Sequence, residues 1–270
     1  MQEHGHLPEL NRLSILSATI MLAYALTPLI TFPAQVIPLT IFEIDFSIQY
    51  TFFTVVSILV AALAFIGMAY LLQSHPSFHS KHFWQYSILP ALTAWAIGVP
   101  LNTIQVGLEW WGVFFFGGVL LMLVFTSEYI IVDPDDALFP PAAGAITAFS
   151  FALLFLLSVG SRSGQFRLYL LLPVLVLPIF LIVLRTLHLR QGNRWFFPWS
   201  IGIALFMGGL ILSLHYLPLT PVEFGLILLG VGYGVTSLAG NLISEFPGKL
   251  FWVEPLLMSI LFLGLSILLG

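Results

Sequence analysis

The sequence predicts an all-α fold: a polytopic transmembrane helical bundle of about nine spans in a single domain, residues 1–270 with a short N-terminal tail over 1–12. Two observations carry that prediction. The chain is 59% apolar and only 7% charged, with a mean hydropathy of +1.05, against about 25% charged residues in an average globular domain. Its apolar residues also fall in runs of roughly 20, the length a helix needs to cross a hydrocarbon core of about 30 Å. Almost nothing is left for a soluble domain, so burial is against lipid and against the chain's own helices.

Charge and cysteine usage remove several function classes. A net charge of -4 leaves no basic face for nucleic acid. The absence of cysteine removes disulfides, thiolate chemistry and cysteine-based metal sites. The opening Met-Gln-Glu-His lacks the basic region of a signal peptide, and Leu13 to Ile30 is long enough to stay in the membrane, so no cleavage is expected.

The predicted spans run roughly from Leu13 to Phe32, Gln49 to Leu72, Phe83 to Thr103, Trp111 to Val132, Ala142 to Gly160, Leu168 to Leu187, Trp199 to Tyr216, Pro221 to Ile243 and Leu250 to Leu269. Six of the seven tryptophans (Trp84, Trp110, Trp111, Trp195, Trp199, Trp252) sit at span edges, where an amphipathic ring prefers the headgroup region. In the ninth span, Pro255 leaves only about 15 residues after it, below the roughly 17 required, so the helix must start near Phe251 with proline in its first turn. Eight spans is the alternative. With the N-terminus cytoplasmic, the loops on that side hold Arg12, Lys81, Arg185, Arg190, Arg194 and Lys249, and the other side holds Arg162 and Arg167. That asymmetry predicts a multi-pass protein of the cell membrane, N-terminus cytoplasmic and C-terminus outside. The segment Ser161 to Arg167 resists it, because it puts base outside.

Span eight has a readable start and a patterned face. Thr220, Pro221 and Glu223 form a capping-box sequence with proline at the first helical position. At about 100° per residue, Gly230, Gly234, Ser237 and Asn241 share one small, polar side. The GxxxG spacing of Gly230 and Gly234 lets another backbone come close, and Asn241 can hydrogen-bond across. The letters Gly-Val-Gly-Tyr-Gly also match part of a potassium-filter motif, but a filter lies in a re-entrant loop, so a packing role is expected. A short repeat, PLTxxE at Pro38 and again at Pro218, reads as two capping boxes rather than an internal duplication.

The remaining constellations have plain alternatives. No charged residue lies near the middle of any span, which weighs against proton relays, ion-coupled carriers and voltage sensors. Glu128 is the nearest exception and reads as interfacial. His75, His79 and His82 would share a face if their loop were helical and could bind metal, but Pro76 and the lack of a nearby carboxylate favour ordinary loop histidines. Arg185, Arg190 and Arg194 read as a basic loop that orients the chain and attracts anionic lipid headgroups. Asp133, Asp135 and Asp136 lack the glycine turn and distal Glu of a Ca²⁺ loop and read as loop capping. Pro90, Pro100, Pro173 and Pro178 are candidates for kinks or breaks in spans three and six. Asn102, Gln105 and Glu109, beside Trp110 and Trp111, make a polar, aromatic mouth: a ligand entrance or a headgroup belt.

At Glu128-Tyr129 with Val132-Asp-Pro-Asp-Asp136, at Leu217-Pro-Leu-Thr-Pro221 with Phe224-Gly225-Leu226, and at Ser237-Leu-Ala-Gly-Asn-Leu242, the chain resembles a family of uncharacterised multi-spanning bacterial membrane proteins. The resemblance implies a bacterial origin and an all-helical membrane fold, and it transfers no activity, cofactor or catalytic residue.

Three functions remain. The first is a non-enzymatic accessory or scaffold subunit whose eighth span packs through Gly230, Gly234, Ser237 and Asn241 against its own helices or a partner's, with the lipid bilayer and other membrane subunits as partners. The second is a carrier or flippase-like binder of a lipophilic or neutral solute, using the Ser237 and Asn241 face with kinked third and sixth spans. The third is a membrane enzyme acting on lipid-type substrates, with His79, His82, His188 and Glu128 as candidates. No catalytic, cofactor-binding or metal residue is assigned.

Overall fold

The computed structural model describes residues 7–30, 35–41, 44–76, 78, 83–192, 194–244, 248 and 250–269. Nine α-helices lie among them, and seven helices are long and apolar enough to cross a membrane. The chain is a multi-pass membrane protein. It divides into two compact units, Met1–Asp136 and Ala137–Gly270.

The first unit contains α1 (Leu10–Leu26), α2 (Phe52–Leu72), α3 (Trp84–Thr103) and α4 (Leu108–Ile130). Helix α1 turns Leu13, Leu16, Ile20 and Tyr24 inward at three- and four-residue spacing, and all four are buried. A hydroxyl on this stripe needs a partner, and Tyr24 Oη donates to the Ala94 carbonyl of α3 at 2.7 Å. One turn further along α3, a Cβ at Gly98 would lie 2.7 Å from Ser57 Oγ and 2.8 Å from Tyr24 Oη. Glycine is what lets α1, α2 and α3 meet there.

Helix α3 is not among the seven apolar spans, although it was expected as span three. It carries buried Gln85, Ser87 and Thr93. Its hydroxyls return to its own backbone, Ser87 to Phe83 O at 3.2 Å and Thr93 to Leu89 O at 2.8 Å, so they are buried without leaving a donor unsatisfied. It also stays helical through Pro90 and Pro100, so neither of these candidate prolines breaks it.

Three further expectations change in this unit. A two-stranded antiparallel hairpin, β1 (Gln35–Ile41) and β2 (Ile44–Tyr50), joins α1 to α2, with Gln35 opposite Tyr50 and Ile41 opposite Ile44. The first PLTxxE is therefore no helix cap: Pro38 to Thr40 lie in β1, a run rich in the β-branched residues that suit a pleated ladder. The cap of α2 is Thr51 instead, whose Oγ accepts from Thr54 N at 3.3 Å. Trp110, expected in the headgroup belt, is 1% exposed, and its indole N–H donates to Leu101 O at 3.1 Å. Glu128, expected at the interface, is fully buried, because Leu121, Phe125 and Glu128 follow one another on the inward face of α4.

At the end of the unit that carries the α2–α3 connection, the buried His75 ring meets the Tyr129 ring edge-on at 4.7 Å. Asp133 Oδ1 accepts from Asp135 N at 3.1 Å, the loop-capping role its sequence suggests. His79 and His82 lie outside the described residues.

The second unit contains α5 (Phe139–Ser163), α6 (Leu168–Arg190), α7 (Phe197–His215), α8 (Pro221–Ile243) and α9 (Val253–Leu269). Helix α8 touches all four others, while α9 packs on α8. The start of α8 is the expected capping box: Thr220 Oγ1 accepts from Glu223 N at 3.3 Å, and Glu223 Oε2 accepts from Thr220 N. Helix α6 stays continuous through Pro173 and Pro178 and runs on to Arg190. Arg185 and His188 therefore belong to its last turns rather than to a loop, and each is 1% exposed.

Two predictions follow from the first unit. Tyr24→Phe should lower stability by about 1 kcal/mol, the ordinary net worth of a buried hydrogen bond, read as a lower unfolding midpoint in detergent. Burial holds the His75 pKa below its ordinary 6.5, while Asp133 and then Asp136 pull it back up. The fold thus prefers neutral His75: its contribution is complete above the ordinary value and is lost as pH falls from there through the lowered folded value. His75→Phe should keep the ring contact and shrink the loss of thermal stability on acidification below about pH 6.5.

Candidate functional site: an apolar groove with a charged end

The α8–α9 contact organises the site. A Cβ at Gly230 would lie 2.9 Å from Phe262 Cβ, and one at Gly234 would run into Ser259 Oγ. Through that gap Ser259 Oγ reaches the Gly230 carbonyl at 3.0 Å while also bonding Pro255 O in its own helix at 2.8 Å. Further along the same face, Asn241 Nδ2 donates to Phe251 O at 2.6 Å. Gly230 faces the middle of α9, Gly234 and Ser237 face its first two turns, and Asn241 faces the segment just before it. Helix α9 begins at Val253 with Pro255 in its first turn, where a missing N–H costs nothing.

Close approach brings a polar cluster together. The Glu254 carboxylate accepts from Tyr233 Oη at 2.6 Å and lies 3.5 Å from Ser237 Oγ. Arg190 donates from Nη1 to Ser237 Oγ at 2.9 Å, and its Nη2 stands 3.9 Å from Glu254 Oε1. Gln191 Nε2 adds a bond to the Gly240 carbonyl at 2.5 Å. Ser237 lies six residues before the end of α8, so this cluster sits about 9 Å inside that helix end. Arg190 and Glu254 remain partly exposed, at 28% and 53% of their side chains, so their ion pair has modest worth and leaves polar capacity unused.

A cavity of about 690 Å³ leads away from that cluster. One wall is α5, where Ala143, Gly144, Thr147 and Ala148 leave room; the others are Leu229 and Tyr233 of α8 and Met258 and Phe262 of α9. Arg190 closes one end. The Phe151 ring meets the Tyr233 ring edge-on at 5.2 Å and fixes the phenol that reaches Glu254. The volume falls within the roughly 300–1,000 Å³ of small-molecule sites, and the arrangement has their usual chemistry, an apolar lining with a few convergent polar groups.

Sequence reasoning placed Ser237 here but missed Tyr233, Glu254 and the α5 wall. The wall left a signal: Ala143, Thr147 and Phe151, with Gly144, Ala148 and Ala152, repeat at four-residue spacing on one side of α5. Glu254 left none, because its partners come from two other helices. Arg185 is buried, Arg190 points into the cluster, and Arg194 is exposed at the surface. His188 stacks on Trp195 at 3.9 Å. Among the described residues no group of three His, Cys, Asp or Glu is placed to hold a metal ion.

Gly234→Leu should destabilise the protein by about 1–3 kcal/mol, the usual cost of overpacking a tight contact, whereas Ser259→Ala should cost roughly 0.6 kcal/mol, the mean for a hydrogen bond between membrane helices. Unfolding curves in mixed micelles measure both, and equal midpoints for Gly234→Leu and wild type would contradict the contact.

No curated protein and no solved structure matches this chain. Residues 32–269 match the family described as "Protein of unknown function (DUF5656)", so all of the groove and all but the first helix of the first unit lie inside the matched region. The chain belongs to the DUF5656 family.

Proposed function

We propose that this is a non-enzymatic membrane protein that binds a lipophilic molecule with a polar head in its second unit, the apolar portion along α5, α8 and α9 and the head at Arg190 and Tyr233. The single observation that carries the reading is the 690 Å³ groove ending at the Arg190, Ser237, Glu254 and Tyr233 cluster. An apolar trough beside lipid is filled by acyl or isoprenoid chains at no desolvation cost, so selectivity falls to the polar end. There Arg190 offers unspent donors to an anionic oxygen, and Glu254 and Tyr233 offer partners to a hydroxyl or amine.

The chain's own α9 packs on Gly230 and Gly234, so that part of the α8 face serves internal packing, and the groove beside it favours a ligand over a docked subunit. With the excess of Lys and Arg marking the cytoplasmic side, the groove's charged end faces the cytoplasmic leaflet and Arg194 meets anionic headgroups there.

The test is native mass spectrometry of gently purified protein with lipid extraction. Wild type should retain a lipid-type ligand. Ala148→Trp, which fills the groove from α5, should lose it, and Arg190→Gln should weaken retention roughly tenfold, the value of one charge-assisted hydrogen bond. Equal retention by all three proteins would overturn the proposal.

A further inference from the structure

The geometry points to a second ligand site at the other end of α8: an oxyanion-binding cup built around Arg162, for a phosphate or carboxylate group. It is independent of the groove and shares no residue with it.

The cup is formed where two chain reversals meet. Helix α5 ends at Ser163, and Gln165 takes a left-handed backbone with φ +50° to turn the chain into α6. Opposite, α7 ends at His215 and α8 begins at Pro221. Arg162 ties the two together, donating from Nη1 to the His215 carbonyl at 3.1 Å and from Nη2 to the Leu217 carbonyl at 2.9 Å. The guanidinium also lies over the Phe224 ring, 5.6 Å from its centre. It is therefore held in one plane with two of its five N–H groups used, and the remaining three are oriented in advance. A carbonyl removes none of its charge. Among the described residues no carboxylate pairs with Arg162, and none of the residues lining the 390 Å³ cup is acidic. The nearby Glu223 is turned onto the Thr220 backbone N–H.

Two other observations point to an anion. Ser163, Gln165 and His215 add polar atoms to the lining, and His215 Nδ1 is buried with no hydrogen-bond partner in the protein, a state that a ligand or water normally relieves. The segment Ser161 to Arg167 is also where the charge pattern runs against the rule, with Arg162 and Arg167 on the predicted outer side. Base retained against the orientation signal is explained if it holds an anion. A planar, pre-oriented guanidinium recognises phosphate and carboxylate by paired N–H donors.

The shared chemistry is an oxyanion, and its source is either a free anion or a lipid headgroup. The experiment follows modification of Arg162 by phenylglyoxal, located by mass spectrometry, in the full chain. One arm uses detergent with increasing inorganic phosphate, and the other uses phosphatidylcholine vesicles with and without phosphatidic acid. Protection by phosphate supports the cup with a free anion as ligand; protection only by phosphatidic acid supports it with a lipid headgroup. No protection in either arm overturns it. Calorimetric titration supplies the second readout. Arg162→Gln should abolish binding of whichever anion protects. Ser163→Asp, at an exposed rim position that leaves both Arg162 carbonyl bonds in place, should raise the Kd at least about tenfold with an unchanged melting curve in the absence of anion. Binding at wild-type strength in the folded Ser163→Asp protein would overturn the site.

Discussion

The second unit depends on how closely α9 can approach α8. Lipid tails are as apolar as leucine, so two membrane helices gain little by hiding apolar side chains from lipid and must gain from packing and hydrogen bonds instead. Gly230 and Gly234 remove the side chains that would hold the backbones apart, and Ser259 uses the space to bond a carbonyl that a bulkier pair would screen. Everything polar nearby follows from that spacing. Glu254 reaches Tyr233 and Ser237 because the first turn of α9 lies against the last third of α8, and Arg190 arrives from α6 to meet them.

The same constraint explains the groove. Helices α5 and α9 both pack on α8, and small residues on α5 leave the intervening space unfilled. In water such a trough would be a liability; in a bilayer an apolar chain can fill it at little cost, and under the proposed function the charged end would distinguish one amphiphile from another. The first unit solves its packing differently, with Tyr24, Ser57 and Gly98 meeting at one point and the hydroxyls of Ser87 and Thr93 returned to carbonyls of α3 or its cap.

Much of the local structure was legible because it depends on local chemistry. The capping box at Thr220, the entry of Pro255 into the first turn of α9 and the long apolar helices each rest on residues within a turn of one another. By sequence, residues 33–48 fall in an outer loop without the hairpin, although Ile44-Asp-Phe-Ser-Ile-Gln-Tyr50 alternates apolar and polar residues as a half-buried strand does. The prolines of α3 and α6 are candidates for kinks or breaks by sequence, and both helices continue through them, because packed neighbours hold a proline-containing helix together.

Composition and period alone determined that the chain crosses the membrane repeatedly, where its helices lie and which face of α8 is small. Only tertiary structure decided what that face meets, that Glu128 and Arg185 are buried, and that Arg190, Ser237, Tyr233 and Glu254 form one cluster. The physical reason is that lipid and protein core are both apolar. A membrane helix shows little contrast between its outward and inward sides, so the pairing of faces is set by side-chain fit between helices distant in sequence, which no single stretch of chain records.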